Sequence, residues 1–207
     1  TADEVGRIIA IEGESPRAIA AALLGALCGL RHGEVRGLQW DDVDEVAGTI
    51  HIRHNLVSES EGLKRPKWGS AREVPLAAPV LEALQLCAGA SPYGRVGYVI
   101  WNEKRPGAPV SRATVLAGFR RILRSIGISD EQQERRNLCF HGLRHTFVSL
   151  SRASGLPDFL VQRMAGHKSM VMTDRYSHAE GIIDFAAARA SLEATVKPTT
   201  KVAGGAL

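Results

Sequence analysis

The chain has 207 residues, of which 44% are hydrophobic, enough to bury a core as one generous domain or two small ones. Its abundant Leu, Val, Ile and Ala exclude a disordered chain, and no apolar run reaches the roughly 18 residues that span a bilayer. A net charge of +4 is compatible with a nucleic-acid partner but is not diagnostic of one.

The first residues have neither the basic flank nor the apolar segment of a signal peptide, which favours a cytoplasmic protein. The three cysteines, Cys28, Cys87 and Cys139, lie far apart in the sequence. We expect reduced, mostly buried thiols and no structural zinc site, because zinc ligands are clustered in sequence.

Helix-start signals mark the beginning of the chain. Thr1 and Glu4 have the spacing of a capping box, which predicts a helix from the first residues. Ser15 is predicted to cap a second helix, with Pro16 in its first position and its end near Gly29.

A small sheet is predicted among helices. Alternating apolar and polar residues at 49–54 indicate a half-buried strand, and the run to residue 76 predicts two more strands with a turn at 68–70. The other predicted elements, in chain order, are a helix at 33–38, a helix at 79–88, a short strand at 98–101, a loop at 105–109, and helices at 111–126, 141–154, 157–165 and 179–194. The sequence therefore predicts a mostly α fold with a small three-stranded antiparallel β-sheet near residues 49–76, an α+β class.

Charged residues are unevenly distributed along the chain. Acidic residues crowd into 34–45 and 59–61, whereas basic ones recur at 64–72, 120–124, 135–136 and 144–175. Any single basic run is typical of a solvated face, but several runs between apolar helices favour a polyanionic partner.

The segment HGLRHTF at 141–147 places His141, Arg144 and His145 on one face of a helix. It could be a metal site, a set of histidines that bond nearby backbone, or a phosphate pocket. A zinc helix of the HExxH type needs Glu where this chain has Gly142, and Arg144 would repel the metal. Backbone-bonded histidines would be the better interpretation of one isolated His.

A second segment, AGHKSMVMTDRYSH at 165–178, adds further groups and favours the phosphate pocket. Guanidinium groups neutralise the non-bridging oxygens of a phosphodiester, and a tyrosine hydroxyl can attack the phosphorus to form a covalent intermediate. Tyr176 alone would most often be a packing residue, so this interpretation depends on the His and Arg groups around it.

Several blocks of the sequence resemble those of the tyrosine recombinases, the phage integrase family. GLRHGEVRGLQWDDVD (29–44) is similar to the family's first arginine box, HGLRHTFVS (141–149) to its central helix, and AGHKSMVMTDRYSH to its tyrosine box. PKWGSAREVPL (66–76) is a weaker match to its lysine hairpin. The resemblance covers about residues 1–190 and implies the family's DNA breaking-rejoining fold.

The resemblance also implies roles for individual residues. The implied catalytic residues are Arg31, Lys67, His141, Arg144, His167 and Tyr176. Tyr176 would be the nucleophile, Lys67 the acid that protonates the leaving oxygen, and the arginines and histidines the phosphate ligands. Glu34 and Trp40 are implied to be structural, His145 to be supporting, and His178 need not be catalytic. No cofactor and no metal are implied.

The resemblance implies an organisation and partners as well. We expect a catalytic domain at 1–194, a flexible tail at 195–207, and no N-terminal core-binding domain in this chain. The expected partners are a double-stranded DNA recombination site and further copies of the chain, as a tetramer on DNA or a monomer alone, and no membrane.

The last helix can dock on its own domain or on a neighbouring subunit, through an apolar face that includes Phe185, Ala186 and Ala190. A type IB topoisomerase, a non-catalytic DNA-binding module and a metal-dependent hydrolase remain the alternative functions.

Overall fold

The computed structural model describes residues 1–58, 62–64, 71–166, 184–196, 198 and 202–203. Helix α1 (Ala2–Ile9) begins with the predicted capping box, in which Thr1 and Glu4 satisfy each other's backbone N–H groups. Helix α2 (Pro16–Cys28) begins and ends as predicted, but Ser15 makes no side-chain cap bond, so that part of the prediction is wrong. Gly29 ends α2 in the left-handed region at φ +66°.

The predicted three-stranded antiparallel sheet is present, but its strands are not all the expected ones. Strand β3 (Thr49–Ile52) lies in the centre, between β2 (Val43–Asp44) and β6 (Arg72–Pro75). The strand β2 was not predicted, and β3 ends two residues earlier than expected. The short strands β4 (Asn55–Leu56) and β5 (Leu63–Lys64) form a separate two-stranded ribbon. The predicted turn at 68–70 lies outside the described residues.

Five of the remaining helices lie within two residues of their predicted ranges, whereas the last begins at Phe185 and positions 179–183 of its predicted range lie outside the described residues. Observed are α3 (His32–Gly37), a short 3-10 turn (Trp40–Asp42), α4 (Ala78–Ala90), α5 (Arg112–Ser125), α6 (Asp130–Arg135), α7 (Phe140–Ala153), α8 (Asp158–Ala165) and α9 (Phe185–Thr195). Ser111 caps α5 by accepting a hydrogen bond from the backbone N–H of Thr114, whereas α6 was not predicted. The predicted strand at 98–101 is wrong: Tyr98 and Trp101 form only isolated bridges, to Gln39 and Pro109.

Helix α2 forms the centre of the core. Its residues from Ala20 to Cys28 are all buried, and it packs against α7, α4 and α5. A helix apolar on every side belongs in the middle of a helical domain rather than on its surface. The same helix ends at Gly29, two residues before Arg31, so the buried helix also fixes the backbone position of Arg31.

Helix α9 and strand β7 are the described C-terminal elements, and both contact earlier elements of the chain. Helix α9 contacts α7 and β6, and it buries Ala188 and Leu192. Ala186 and Ala190, which were expected on its apolar face, are exposed. Strand β7 (Val202–Ala203) pairs in parallel with β1 (Ile11–Glu12).

Two smaller predictions concern the thiols and the membrane. Cys28 and Cys87 are buried free thiols, as expected, and burial raises the pKa of each to about 12. Cys139 is free as well but exposed. Within the described ranges, none of the helices is long and apolar enough to cross a membrane.

Candidate active site

Three of the six predicted catalytic residues can be located in the structure. Arg31, His141 and Arg144 belong to the described residues, whereas Lys67, His167 and Tyr176 lie outside them. The catalytic roles of all six residues therefore stay predictions.

Arg31 is held at the junction between α2 and α3. It is the N-cap residue of α3 with extended backbone, two residues after the left-handed Gly29. Its backbone N–H donates to Glu34 Oε2 at 2.8 Å, and its Nη1 donates to Glu34 Oε1 at 2.8 Å. Its Nη2 donates to the backbone carbonyl of Gly166 at 2.8 Å. The side chain keeps 35% of its surface exposed, so part of the guanidinium still faces solvent.

Glu34 joins Arg31 to a second arginine, Arg72 of β6. Nη1 and Nη2 of Arg72 donate to the two carboxylate oxygens of Glu34 at 2.9 and 2.8 Å, a bidentate pair. The Glu34 side chain is only 1% exposed and that of Arg72 only 4%. Burial alone would raise the pKa of Glu34, but the hydrogen bonds and charges of Arg72 and Arg31 lower it to about 2. One carboxylate therefore serves two cations in a buried setting.

Arg144 lies on the buried side of α7, whereas His141 and His145, which were predicted to share its helical face, are exposed. Its residue exposure is 3%, and its neighbours Leu143 and Phe147 are buried as expected. Nη1 donates to the carbonyl of Gly29 at 2.7 Å, whereas the buried Nη2 has no acceptor among the described residues. Burial first, then the charges of Arg31 and Arg72, lower the pKa of Arg144 to about 10. The guanidinium therefore remains charged at neutral pH.

His141 and His145 occupy the exposed face of the first turns of α7. Their ring centroids are 5.2 Å apart in an edge-on arrangement. Burial lowers the pKa of His141, and the charges of His145, Arg144 and Arg31 lower it further. The imidazole of His141 is therefore neutral near pH 7, where it can accept a proton or donate a hydrogen bond.

The end of α8 contacts the same group of arginines. Arg72 Nε donates to the carbonyl of Met164 at 2.6 Å, and Arg31 donates to that of Gly166. Gly166 ends the helix in the left-handed region, and a Cβ there would lie 3.3 Å from the Arg72 side chain. Two guanidinium groups thus satisfy the terminal carbonyls of α8, immediately before His167 in the sequence.

Arg72 is the residue at this site that the sequence analysis left without a role. It lies within the segment PKWGSAREVPL, and its position in the strand could have indicated that it is buried. Arg72 and Val74 point to the same face of β6, and Val74 is buried, so period-two alternation buries Arg72 too. A buried arginine in a strand requires an acidic partner, which Glu34 supplies.

The described part of the site consists of arginines, histidines and one carboxylate, which is not the composition of a metal site. Within the described part of the chain, no three His, Cys, Asp or Glu side chains lie together as metal ligands would. His141 and His145 form a pair, and the charges that act on His141 besides that of His145 are those of the cations Arg144 and Arg31.

Comparison with known proteins identifies the family of the chain. A family model described as the Phage integrase family matches residues 1–181. A "Tyrosine recombinase XerC-like" protein from Caldanaerobacter subterraneus subsp. tengcongensis is 25% identical over 194 residues, covering 82% of this chain and 47% of that protein. The chain spans about half the length of the curated relatives it matches.

Solved structures have the same fold. The integrase from mycobacterium phage Brujita superposes with a TM-score of 0.64 at 20% identity, covering 98% of this chain and 59% of that one. The Tn1549 transposon integrase, in complex with a circular intermediate DNA, gives a TM-score of 0.60 at 25% identity, covering 85% of this chain and 58% of that one. With residues 1–181 of its 207 matched to the family model, the chain belongs to the phage integrase family, the tyrosine recombinases.

Proposed function

We propose that this chain is the catalytic part of a site-specific DNA recombinase, which cuts and rejoins DNA strands through a 3′-phosphotyrosyl intermediate without a metal. The observation that carries the proposal is the convergence of Arg31 and Arg144 from different elements, with one buried Arg144 N–H group left without an acceptor among the described residues. Family membership supports the same reaction.

The two arginines fit the charge of a phosphodiester. As the phosphorus becomes five-coordinate, negative charge grows on the equatorial oxygens, and fixed cationic donors stabilise it most at that moment. Arg144 is held by Gly29, and Arg31 by Glu34 and Gly166, so little reorganisation is required. A phosphate oxygen would also supply the acceptor that Arg144 Nη2 does not find among the described residues. A buried donor without an acceptor costs about 1–3 kcal/mol.

The covalent step would use the residues outside the described ranges. The hydroxyl oxygen of Tyr176 would attack the phosphorus and bond to the 3′ phosphate, while the bond to the 5′ oxygen breaks. Lys67 would protonate that oxygen, and neutral His141 or His167 would help to take up the phenolic proton. The 5′ hydroxyl of a partner strand would then reverse the step, so the phosphodiester energy is conserved and no ATP is used.

The partner in this proposal is a double-stranded recombination site. A related integrase, that of Tn1549, was solved in complex with a circular intermediate DNA. The net charge of +4 and the basic runs on α5 and α7 are suited to backbone phosphates, which position a protein more than they specify sequence. We further propose that copies of the chain assemble as a tetramer on DNA, because exchange of strands requires two cleaved duplexes.

Covalent trapping tests this function directly. The protein is incubated in EDTA with a pool of nicked duplexes with randomised arms, and SDS-resistant adducts are isolated and sequenced. We expect an adduct from the wild type and none from Tyr176→Phe. Tyr93→Phe is the matched control, because Tyr93 lies in the loop after α4, outside the elements that carry Arg31 and Arg144, and it should form the adduct normally.

Two outcomes would contradict the proposal. An adduct that survives in Tyr176→Phe would remove the nucleophile, and an adduct that needs Mg²⁺ would remove the metal-free mechanism. A wild type that binds the duplex pool but never becomes linked to it would identify a non-catalytic DNA-binding module instead.

A further inference from the structure

We infer that Arg72 is a positioning residue of the recombination reaction. Through Glu34 it fixes the guanidinium of Arg31, and through a hydrogen bond of its own it also holds the end of helix α8. The inference rests on the proposed function, since it concerns the residue proposed to bind the scissile phosphate. Arg72 itself is buried and would not touch the DNA.

The carboxylate of Glu34 accepts hydrogen bonds from two arginines. Each Glu34 oxygen accepts from Arg72, and each also accepts from Arg31, one through the backbone N–H and one through Nη1. Arg72 presents its planar fork to both oxygens at once, which fixes the plane of the carboxylate. The carboxylate then fixes the guanidinium of Arg31.

Arg72 is also linked to α8. The third donor of Arg72, Nε, binds the carbonyl of Met164, while Arg31 binds that of Gly166. The glycine permits this approach, because a side chain at 166 would lie 3.3 Å from Arg72 and its φ of +63° disfavours other residues. Three segments that are distant in sequence therefore meet in one hydrogen-bond network: the start of α3, strand β6 and the end of α8.

The position of the Arg31 guanidinium matters for the rate of the reaction. Placing a catalytic group wrongly by about 1 Å can cost roughly 100-fold in rate, even when the change lies away from the chemistry. Lysine at position 72 would keep the positive charge beside Glu34 but could not bind both oxygens and Met164 together. Arg72→Lys therefore keeps the charge that balances Glu34 but removes the two-pronged contact that fixes the plane of its carboxylate.

The first test is single-turnover adduct formation by the full chain on a duplex that the wild type cleaves. We expect Arg72→Lys to slow cleavage by roughly 10- to 100-fold, while the Kd for the same duplex stays within about threefold. The matched control is Arg53→Lys, because Arg53 also pairs with a buried carboxylate, at 2.7 Å, but this carboxylate is Asp42 and not Glu34. This control should cleave at the wild-type rate.

A double-mutant cycle distinguishes positioning from general destabilisation. If Arg72 acts through Arg31, then Arg72→Lys should slow the Arg31→Ala protein by less than about twofold. Effects that multiply fully, or an Arg72→Lys protein with unchanged cleavage, would overturn the inference and leave the proposed function untouched.

A second measurement needs no cleavage and decides the inference even if no adduct ever forms. The backbone N–H of Arg31 donates to Glu34, so its exchange with solvent reports whether the carboxylate is held. In NMR exchange of the full chain, Arg72→Lys should lower the protection of the Arg31 amide at least about tenfold, and leave amides of α2 and α5 unchanged. Unchanged protection at Arg31, or an equal loss throughout the protein, would refute the positioning role.

Discussion

Glu34 balances the charge of this site, because it is the carboxylate that Arg31 and Arg72 both bind. Its pKa is lowered from 4.5 to about 2 in the folded protein, despite burial, by hydrogen bonds and charges from those two arginines. A lowered pKa means that the ionised form stabilises the fold. This stabilisation is complete above about pH 4.5 and is lost as the pH falls toward 2.

Replacing Glu34 by Gln should therefore destabilise the protein in a pH-dependent way. At pH 7 we expect Glu34→Gln to reduce the free energy of unfolding by about 3 kcal/mol, because the buried guanidinium of Arg72 and the half-buried one of Arg31 lose their counter-charge. The difference from wild type should narrow as the pH is lowered from 5 to 2.5, because over this range Glu34 is protonated in the unfolded wild type, with a pKa near 4.5, but stays largely ionised in the folded one, with a pKa of about 2. Urea unfolding at several pH values measures both effects.

The control for this prediction is Glu103→Gln. Glu103 also pairs with an arginine, Arg17, at 3.0 Å, but its side chain is 74% exposed. Exposed pairs contribute about 0–1 kcal/mol, so the control should unfold almost like wild type. A Glu34→Gln protein as stable as Glu103→Gln at pH 7 would show that Glu34 does not balance the site.

At the scale of elements, the junction of α2 with α7 holds Arg144 in place. Gly29 has a φ of +66°, and a Cβ there would lie 2.5 Å from Cδ1 of Phe147, a contact that α7 must move to relieve. The carbonyl of Gly29 also accepts the hydrogen bond from Arg144. The same glycine thus permits the turn, the close packing and the position of the guanidinium.

Alanine at position 29 should separate these effects when it is compared with alanine at position 13. Gly13 has a φ of +83° with nothing within 4 Å of an added Cβ, so Gly13→Ala carries the backbone strain alone. We expect Gly29→Ala to lose roughly 1–3 kcal/mol more, which is the usual cost of overpacking, and also to slow adduct formation. Thermal unfolding and adduct assays check both, and equal losses in the two variants would disprove the packing contribution.

Local signals explain which elements the sequence could predict. Caps such as Thr1 with Glu4, and Ser111, act within one turn, so α1 and α5 could be predicted from the sequence. Strand β2 has only two residues and depends on pairing with β3, which no local pattern encodes. Helix α6 has the polar sequence DEQQER, so it lacks the apolar periodicity by which helices are recognised, although Ser129 and Gln132 form a capping box.

The site was predictable to a similar degree. Arg31 and Arg144 stand in blocks whose residue types and spacing suit phosphate chemistry, so their candidacy could be read from the sequence. That Arg144 is buried, and that Glu34 joins Arg31 to Arg72, depends on three elements packing together. Helical spacing groups Arg144 with His141 and His145, but it cannot show that Arg144 is the buried one of the three, because its partner, the carbonyl of Gly29, belongs to another element.

At the scale of the whole molecule, the positive charge beside the site should govern DNA affinity. Arg112 is exposed at the first position of α5, and its charge acts on His32, the residue after Arg31. Burial, then the charges of Arg36 and Arg112, lower the pKa of His32 to about 4. Arg112 is therefore an exposed cation whose charge reaches the start of α3, where Arg31 is the N-cap residue.

Removing this charge should change the salt dependence of DNA binding. We expect Arg112→Gln to lower the affinity at every sequence tested and to reduce the slope of log K against log salt concentration by about 1. Arg95→Gln is the matched control, because Arg95 is exposed but pairs with Glu45 and lies over Trp40. Fluorescence anisotropy at several salt concentrations gives the slopes, and identical slopes for the two variants would exclude Arg112 from the DNA contact.

The most direct measurement is the rate of adduct formation on a duplex whose scissile phosphate is replaced by a methylphosphonate. This substrate has lost the negative charge that the guanidinium of Arg144 is proposed to neutralise. On the natural phosphate, Arg144→Ala should cleave far more slowly than wild type, and on the neutral substrate that penalty should shrink at least about tenfold, the value of one charge-assisted hydrogen bond. A penalty of equal size on both substrates would contradict the assignment of Arg144 to the scissile phosphate.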